Sequence, residues 1–307
     1  MTTAIAHPYT YRSTLEASLK INWRVDDLIG NGKHLDFTKP FLPEALAGVN
    51  PIECLDRKEK QTLNQIRGNS YLYLFGLVEE FIVPLVIDHV RRIGQDDIYA
   101  TQAFLCFAEE ESKHIHLFRR FTEEFDLGFG TPCSCIGPAK DIANAVLQHS
   151  PLGVALIVLH LEWMTQRHYL ESVKDDQELD PQFCSLLKHH WLEEAQHAKL
   201  DTLMVEYLAK DLDERGIKQG IEDYFAIGAF LDGGLMMQVQ LDIESLQVAI
   251  GRTLTEAEKQ EIQIAQEKAY RWTFLGSGME HPNFVKALSE LSELAAVRAS
   301  EMVKAMR

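Results

Sequence analysis

The chain has 307 residues and carries 30 lysines and arginines against 46 aspartates and glutamates, for a net charge of −16. A chain of this length buries a sizeable core without covalent cross-links, and this much negative charge repels nucleic acid and anionic membrane surfaces. Its five cysteines are odd in number and show no C-x-x-C spacing, which argues against a disulfide framework or a thiolate metal site.

The first residues contain no apolar stretch of the kind that directs export. The longest apolar run, at 77–87, is interrupted by two glutamates and a proline, so it does not have the pattern of a membrane span. Together with the scattered cysteines, these features predict a cytoplasmic protein that binds neither nucleic acid nor membrane. The C-x-C pair of Cys133 and Cys135 is only a weak signal of a redox or metal role.

The N-terminal arm, residues 1–55, is broken by several prolines and is predicted to form short helices and loops. A capping-box spacing, Asp56 to Glu59, opens a helical segment that continues to Val90, which we name helix A. Helix B is predicted from Asp96 to about Glu124, and a loop rich in glycine and proline follows it.

A short helix is predicted at 139–149. The pairs Ser150-Pro151 and Asp180-Pro181 each combine a capping residue with a proline at the first helical position. They open helix C, which runs to about residue 173, and helix D, which runs to about residue 212.

Residues 213–307 are predicted to form further helices without an internal domain boundary. A second capping-box spacing occurs from Thr253 to Glu256, and glycine-rich turns are predicted at 233–234 and 276–278.

The chemistry-bearing residues lie on helices A to D. Helix D places His190, Glu194 and His197 on one stripe, since they are spaced by one and two helical turns. Helix B contains a second Glu-x-x-His, Glu111 to His114. Chance alone would supply roughly one such motif in a chain of this composition, so the motifs by themselves prove little.

The placement of the two Glu-x-x-His motifs strengthens the case for a metal site. The alternate helices A and C carry Glu79-Glu80 and Glu162 among apolar residues, and an acid buried there must be neutral, paired or bound to metal. Glu, Glu-x-x-His, Glu, Glu-x-x-His over four helices is the ligand set of ferritin-like dinuclear bundles. We therefore predict an all-α, ferritin-like four-helix bundle at about 56–212, with additional N- and C-terminal helices, forming a single domain over 1–307.

Other interpretations stay open at single positions. Glu79 and Glu80 fit a solvated helix face, Glu162 fits an interior acid paired with Arg167, and His190 fits a hydrogen-bonded core histidine. If the pattern as a whole were structural, the chain would be a helical scaffold.

Two further polar residues, Asp201 and Gln166, lie about one turn beyond a predicted ligand on its stripe. They are candidates for orienting the metal ligands.

The helix D pattern, His190-x-x-x-Glu194-x-x-His197, resembles that of the p-aminobenzoate N-oxygenase family of di-iron oxygenases. Over roughly residues 40–215 the resemblance implies that His190 binds metal and that Glu79, not Glu80, is the helix A ligand. The full set that it implies is Glu79, Glu111, His114, Glu162, His190, Glu194 and His197.

The resemblance implies an oxidoreductase, a di-iron oxygenase that activates O2 and oxidises a small organic substrate, and it suggests an amine nitrogen as the target. The expected cofactor is two iron ions, with manganese or a mixed Mn/Fe pair also suited to these ligands. No nucleotide fingerprint is present, so an external electron donor is expected, and the length and the family favour a homodimer. The alternative is a ferroxidase, a peroxide-reducing protein or a dimanganese catalase built on the same site.

Overall fold

The computed structural model describes residues 5, 7–94 and 97–306, and its regular secondary structure is helical, without a strand in those ranges. Its helices, in chain order, are α1 (Tyr11–Ser18), α2 (Val25–Leu28), α3 (Glu44–Ala47), α4 (Arg57–Ile93), α5 (Ile98–Phe129), α6 (Ala139–Leu147), α7 (Pro151–His168), α8 (Pro181–Ala209), α9 (Glu214–Ile250), α10 (Glu256–Arg271), α11 (Ser277–Met279), α12 (Pro282–Leu291) and α13 (Glu293–Met306). Single π-helical turns follow α7, at Tyr169–Val173, and α10, at Trp272–Gly276.

A four-helix bundle forms the centre of the molecule. Helices α4 and α5 pack along their lengths as one pair, α7 and α8 as a second pair, and α5 contacts α8 across the bundle. Short connections within each pair make its helices antiparallel. The predicted all-α bundle is thus confirmed, with helices A to D corresponding to α4, α5, α7 and α8.

The predicted helix starts follow local capping chemistry. The Asp56 carboxylate accepts from the backbone N–H of Glu59 at 2.9 Å, and the Glu59 carboxylate accepts from the N–H of Asp56 at 3.0 Å. Ser150 and Asp180 cap α7 and α8 directly before a proline. These starts are confirmed, whereas the predicted start of helix B at Asp96 lies outside the described residues and α5 is capped by Asp97.

Two predicted turns in the C-terminal third are wrong. Residues 233–234 lie inside the long helix α9. A helix-interior glycine costs only about 1 kcal/mol, which the burial of one face of α9 offsets. Residues 276–278 also stay helical, because the chain passes from the π-helical turn directly into α11.

The second capping box lies two residues later than predicted. Thr255 caps α10 and exchanges hydrogen bonds with Glu258, not Thr253 with Glu256. Arg252 explains the shift, because its guanidinium binds Glu258 at 2.7 Å and Glu59 at 2.6 Å and so fixes the entry to α10 against the start of α4.

The N- and C-terminal segments cover opposite sides of the bundle. Helix α1 packs on α5 and α8, while α9 packs along α7 and α4. A buried carboxylate anchors the C-terminal side: Asp242 accepts from the Ser70 hydroxyl at 2.6 Å and from the Tyr270 hydroxyl at 2.5 Å, which ties α9 to α4 and α10.

By length and composition alone, α4 could cross a membrane, since an 18-residue window within it has a mean hydropathy of 1.7. Two thirds of that window (67%) is buried inside the protein, which is the behaviour of a central core helix.

Candidate metal centre

All seven predicted ligands lie in the interior of the bundle. Helix α4 supplies Glu79, α5 supplies Glu111 and His114, α7 supplies Glu162, and α8 supplies His190, Glu194 and His197. None of these residues exposes more than 4% of its surface. Such a concentration of acids and imidazoles in a core requires compensation, because an isolated buried charge is costly.

Six of the seven form two groups that could each hold a metal ion. The first group is Glu79, His114, His190 and Glu194, and the second is Glu111, His114, Glu194 and His197. Within each group the candidate ligand atoms all lie within 4.8 Å of one another. His114 and Glu194 belong to both groups, so the two candidate sites are neighbours.

In the first group the contacts centre on one oxygen of Glu194. Its Oε1 lies 2.7 Å from His190 Nε2 and 3.1 Å from His114 Nδ1. Glu79 Oε1 lies 3.1 Å from the same His190 nitrogen.

In the second group the contacts involve the other oxygen of Glu194. Glu194 Oε2 lies 3.3 Å from His197 Nδ1, which is 2.8 Å from Glu111 Oε1. Because its two oxygens face different groups, Glu194 has the placement of a bridging carboxylate.

Glu162 lies beside Glu194, to which its carboxyl group is hydrogen-bonded, and outside the two groups of four. Its Oε2 atom is buried without a hydrogen-bond partner among the described residues. The alternative pairing with Arg167 is wrong, because Arg167 binds Glu171 at 2.9 Å and the carbonyl of Ser277 at 3.1 Å.

The structure separates the two adjacent acids of α4. Glu79 is 2% exposed and lies in the first group. Glu80 is on the outer face and accepts from Arg119 at 3.0 Å. The solvated-face interpretation therefore holds for Glu80 alone.

The protonation states follow from burial and proximity. Burial and the charge of Glu111 raise the pKa of Glu79 to about 8, and burial and the charge of Glu194 raise the pKa values of Glu111 and Glu162. Burial alone would also raise the pKa of Glu194, but His190 and His197 lower it well below its usual value. In the metal-free protein, protons on these acids and imidazoles balance the charge of the cluster.

This donor set fits a pair of divalent cations. Four carboxylates, those of Glu79, Glu111, Glu162 and Glu194, formally balance two doubly charged ions, and the imidazoles add neutral nitrogen ligands. Three buried carboxylate oxygens of this set also have no hydrogen-bond partner among the described residues, namely Glu79 Oε2, Glu111 Oε2 and Glu162 Oε2. Such unpartnered atoms are costly unless a ligand satisfies them.

Two carboxylates that the sequence analysis missed hold the outer nitrogens of the imidazoles. His114 Nε2 is 2.9 Å from Glu193 Oε2, and His197 Nε2 is 2.8 Å from Glu110 Oε2. With the outer nitrogen donating, the inner Nδ1 of each ring presents its lone pair to the cluster. The repeated sequence Glu-Glu-x-x-His, at 110–114 and 193–197, was the available signal.

Asp201 and Gln166 do not have the predicted orienting role. Gln166 donates to the carbonyl of Trp191 at 3.2 Å. Both oxygens of Asp201 are buried without a hydrogen-bond partner among the described residues, and burial raises its pKa well above the usual value. The structure gives the orienting role to Glu110 and Glu193.

Aromatic rings enclose the imidazoles. Phe107 stacks on His197 at 4.0 Å between ring centroids, and Phe75 and Phe118 meet His190 edge-on at 5.5 Å and 5.1 Å. Trp23, from the N-terminal arm, stacks on His114 at 5.9 Å. The cluster therefore lies in a low-dielectric environment that strengthens its electrostatic interactions.

The cysteines take no part in either group. All five are free thiols. Burial raises the pKa of Cys133 to about 12 and the pKa of Cys135 still further, so the C-x-C pair stays protonated and weakly nucleophilic.

No family model matches the chain, and no curated protein matches it. Among solved structures it is similar to a mutant of an R2-like ligand-binding oxidase with an aerobically reconstituted Fe/Fe cofactor, at 13% identity over 87% of this chain and 93% of that chain, with a TM-score of 0.49. It is also similar to an R2-like ligand-binding oxidase with an aerobically reconstituted Mn/Fe cofactor, at 12% identity over 87% of this chain and 92% of that chain, with a TM-score of 0.48.

Proposed function

We propose that this protein is a dinuclear-metal oxidase that uses O2 to oxidise a small organic substrate. The observation that carries the proposal is the pair of buried four-residue groups sharing His114 and Glu194. Two adjacent sites with a common carboxylate suit two cooperating ions better than one structural ion, and the single inner nitrogen of His114 can complete either site.

The positions of these residues indicate which of them would hold each metal ion. Glu79 and His190 would hold one ion, Glu111 and His197 the other, and Glu194 would bridge them. When bound, iron or manganese supplies the redox chemistry that protein side chains lack. The chain itself fixes the imidazole orientation through Glu110 and Glu193 and surrounds the site with Phe75, Phe107 and Phe118.

The finer parts of the proposal come from the sequence. The family resemblance suggests oxidation of an amine nitrogen and, together with the chain length, a homodimeric state. The lack of a nucleotide fingerprint suggests an external electron donor, and the cysteine pattern suggests a cytoplasmic location. The extra imidazole His190, which contacts both Glu79 and Glu194, is the feature that favours an N-oxygenase-type site over a ferritin-type site.

Elemental analysis after anaerobic loading with Fe(II) or Mn(II) tests the site. We expect about two metal ions per chain, and Glu194→Ala should lose most of them because both groups share that carboxylate. Glu80→Ala is the matched control, since it removes the neighbouring acid on the outer face of α4 and should leave the metal content unchanged. Less than about half an equivalent of metal in the wild-type chain would favour the helical scaffold.

Exposure of the loaded protein to O2 and to peroxide tests the reaction class. We expect O2 consumption together with an O2-dependent visible absorption band in the iron-loaded protein. Rapid disproportionation of peroxide without O2 consumption would replace the oxidase proposal with a catalase.

A further inference from the structure

Lys113 lies beside the candidate metal centre without being one of its ligands. Its ammonium is 2.5 Å from Glu193 Oε1, and the other oxygen of that carboxylate, Oε2, is 2.9 Å from His114 Nε2. The Glu193 side chain is fully buried, and that of Lys113 is 16% exposed. One buried carboxylate therefore connects the lysine to a histidine that belongs to both groups of candidate ligands.

Trp23 covers this ion pair from the N-terminal arm. The Lys113 ammonium lies 4.2 Å from the centroid of the Trp23 ring. The same ring stacks on His114 at 5.9 Å, with an angle of 8° between the ring planes. Because the tryptophan limits the access of water, the charge of Lys113 is less screened than that of a lysine on the open surface.

The two outer carboxylates differ in their partners. Glu110 holds the outer nitrogen of His197 at 2.8 Å, and no lysine or arginine pairs with Glu110 in the part of the chain that the structure describes. Burial alone would raise the pKa of Glu193, but hydrogen bonds from His114 and Lys113 lower it. A carboxylate behind a metal-bound imidazole makes the ring a stronger donor, and a cation paired with that carboxylate reduces the effect.

We propose that Lys113 tunes the metal centre through Glu193 and His114. Its positive charge offsets the charge of Glu193, so the metal ion that His114 completes is bound less tightly, and in the iron-loaded protein is reduced more easily, than beside an uncompensated carboxylate. Lys113 is thus a positioning residue and not a ligand. The inference rests on the proposed function, because it requires a metal ion at the buried cluster.

The affinity for Mn(II), measured on the full-length protein by competition with a chelator of known affinity, tests the inference. Lys113→Gln and Lys113→Met both remove the charge, and methionine keeps most of the apolar stem beside Trp23. We expect each to bind Mn(II) about three- to tenfold more tightly, because less positive charge opposes the cation. Lys113→Arg keeps the charge and should have the wild-type affinity.

The expected sign separates tuning from bracing. If Lys113 only held Glu193 in place, its loss would weaken metal binding, as the loss of the partner of a metal-bound histidine does. Lys188→Gln is the matched control for net charge, since it removes the same charge from an exposed position on α8 and should leave the affinity unchanged.

The midpoint reduction potential of the iron-loaded protein is a second measurement. It should be lower in Lys113→Gln than in the wild-type protein and restored in Lys113→Arg, because a nearby ammonium favours the less positively charged state of the iron. Unchanged or weaker Mn(II) binding by both uncharged variants, equal tightening by Lys188→Gln, or an unchanged potential would overturn the inference while leaving the metal site in place. Failure of the wild-type protein to take up metal would refute the proposed function and this inference with it.

Discussion

The two adjacent glutamates of each Glu-Glu-x-x-His motif have different roles. The second acid of each motif, Glu111 or Glu194, faces the cluster, while the first reaches the histidine of the opposite helix. Helices α5 and α8 are thereby cross-braced by two reciprocal carboxylate–imidazole hydrogen bonds. Since a side-chain hydrogen bond to a charged group is among the stronger ones, this brace fixes both ring orientation and helix separation.

Replacing the outer acids should weaken metal binding without removing a ligand. We expect Glu193→Gln and Glu110→Gln each to lower metal affinity by about 10- to 100-fold, the usual effect of losing the partner of a metal-bound histidine. Competition with a chelator of known affinity measures the metal affinity of each variant. Glu109→Gln, at an exposed position one residue away, is the control, and an equal loss of affinity in that variant would contradict the orienting role.

Individual ligand residues were predictable from the sequence, but their outer partners were not. Helical spacing puts His190, Glu194 and His197 on one stripe whatever the neighbours do. Which acid meets the far nitrogen of His114 depends on the rotation and register of α8 relative to α5, and spacing within one helix carries no such information. Asp201 has the spacing of a residue that could orient a metal ligand, yet Glu110 is the acid that binds the outer nitrogen of His197.

At the scale of the elements, the sequence predicts helix starts better than helix ends. Asp56, Ser150 and Asp180 each start a helix through a short-range hydrogen bond that the local sequence encodes. The paired glycines at 233–234 indicate a turn on local grounds, but tertiary packing of α9 along α7 and α4 overrides that preference.

The difference between local helix preference and tertiary packing predicts opposite effects of an alanine substitution at two helix-interior glycines. In α4, a Cβ at Gly68 would meet the Cβ of the buried Phe41 at 2.7 Å and its ring at 3.1 Å, whereas at Gly233 in α9 it would meet nothing within 4 Å. We expect Gly68→Ala to lower the free energy of unfolding by about 1–2 kcal/mol through overpacking, and Gly233→Ala to raise it by about 0.5–1 kcal/mol through helix preference. Urea unfolding with an unchanged m-value measures both, and a stabilised Gly68→Ala variant would contradict the close packing.

At the scale of the whole molecule, segments outside the bundle add to the burial of the cluster. Trp23 comes from the N-terminal arm, for which the sequence predicts a covering role without saying what is covered. It stacks on His114, and the ammonium of Lys113 lies 4.2 Å from its ring centroid. On the opposite side, α9 covers α7 along its length. The bundle pattern in the sequence predicted where the ligands lie, but it could not predict which surface of the arm would enclose them, because long-range packing decides that.

Because the ligand cluster is enclosed by the folded protein, metal binding is coupled to the stability of the entire chain. The folded protein offers a preformed cluster and the unfolded chain does not, so metal should stabilise the folded state by about 2.7 kcal/mol at a free concentration one hundred times the dissociation constant. We expect the midpoint of thermal unfolding to rise with Mn(II) concentration in the wild-type protein and in Glu80→Ala. In Glu194→Ala the rise should be lost, because that carboxylate belongs to both groups. If the unfolding midpoint does not move although the wild-type protein holds two ions, the prediction is contradicted. The metal would then bind outside the buried cluster, at groups that remain equally available after unfolding.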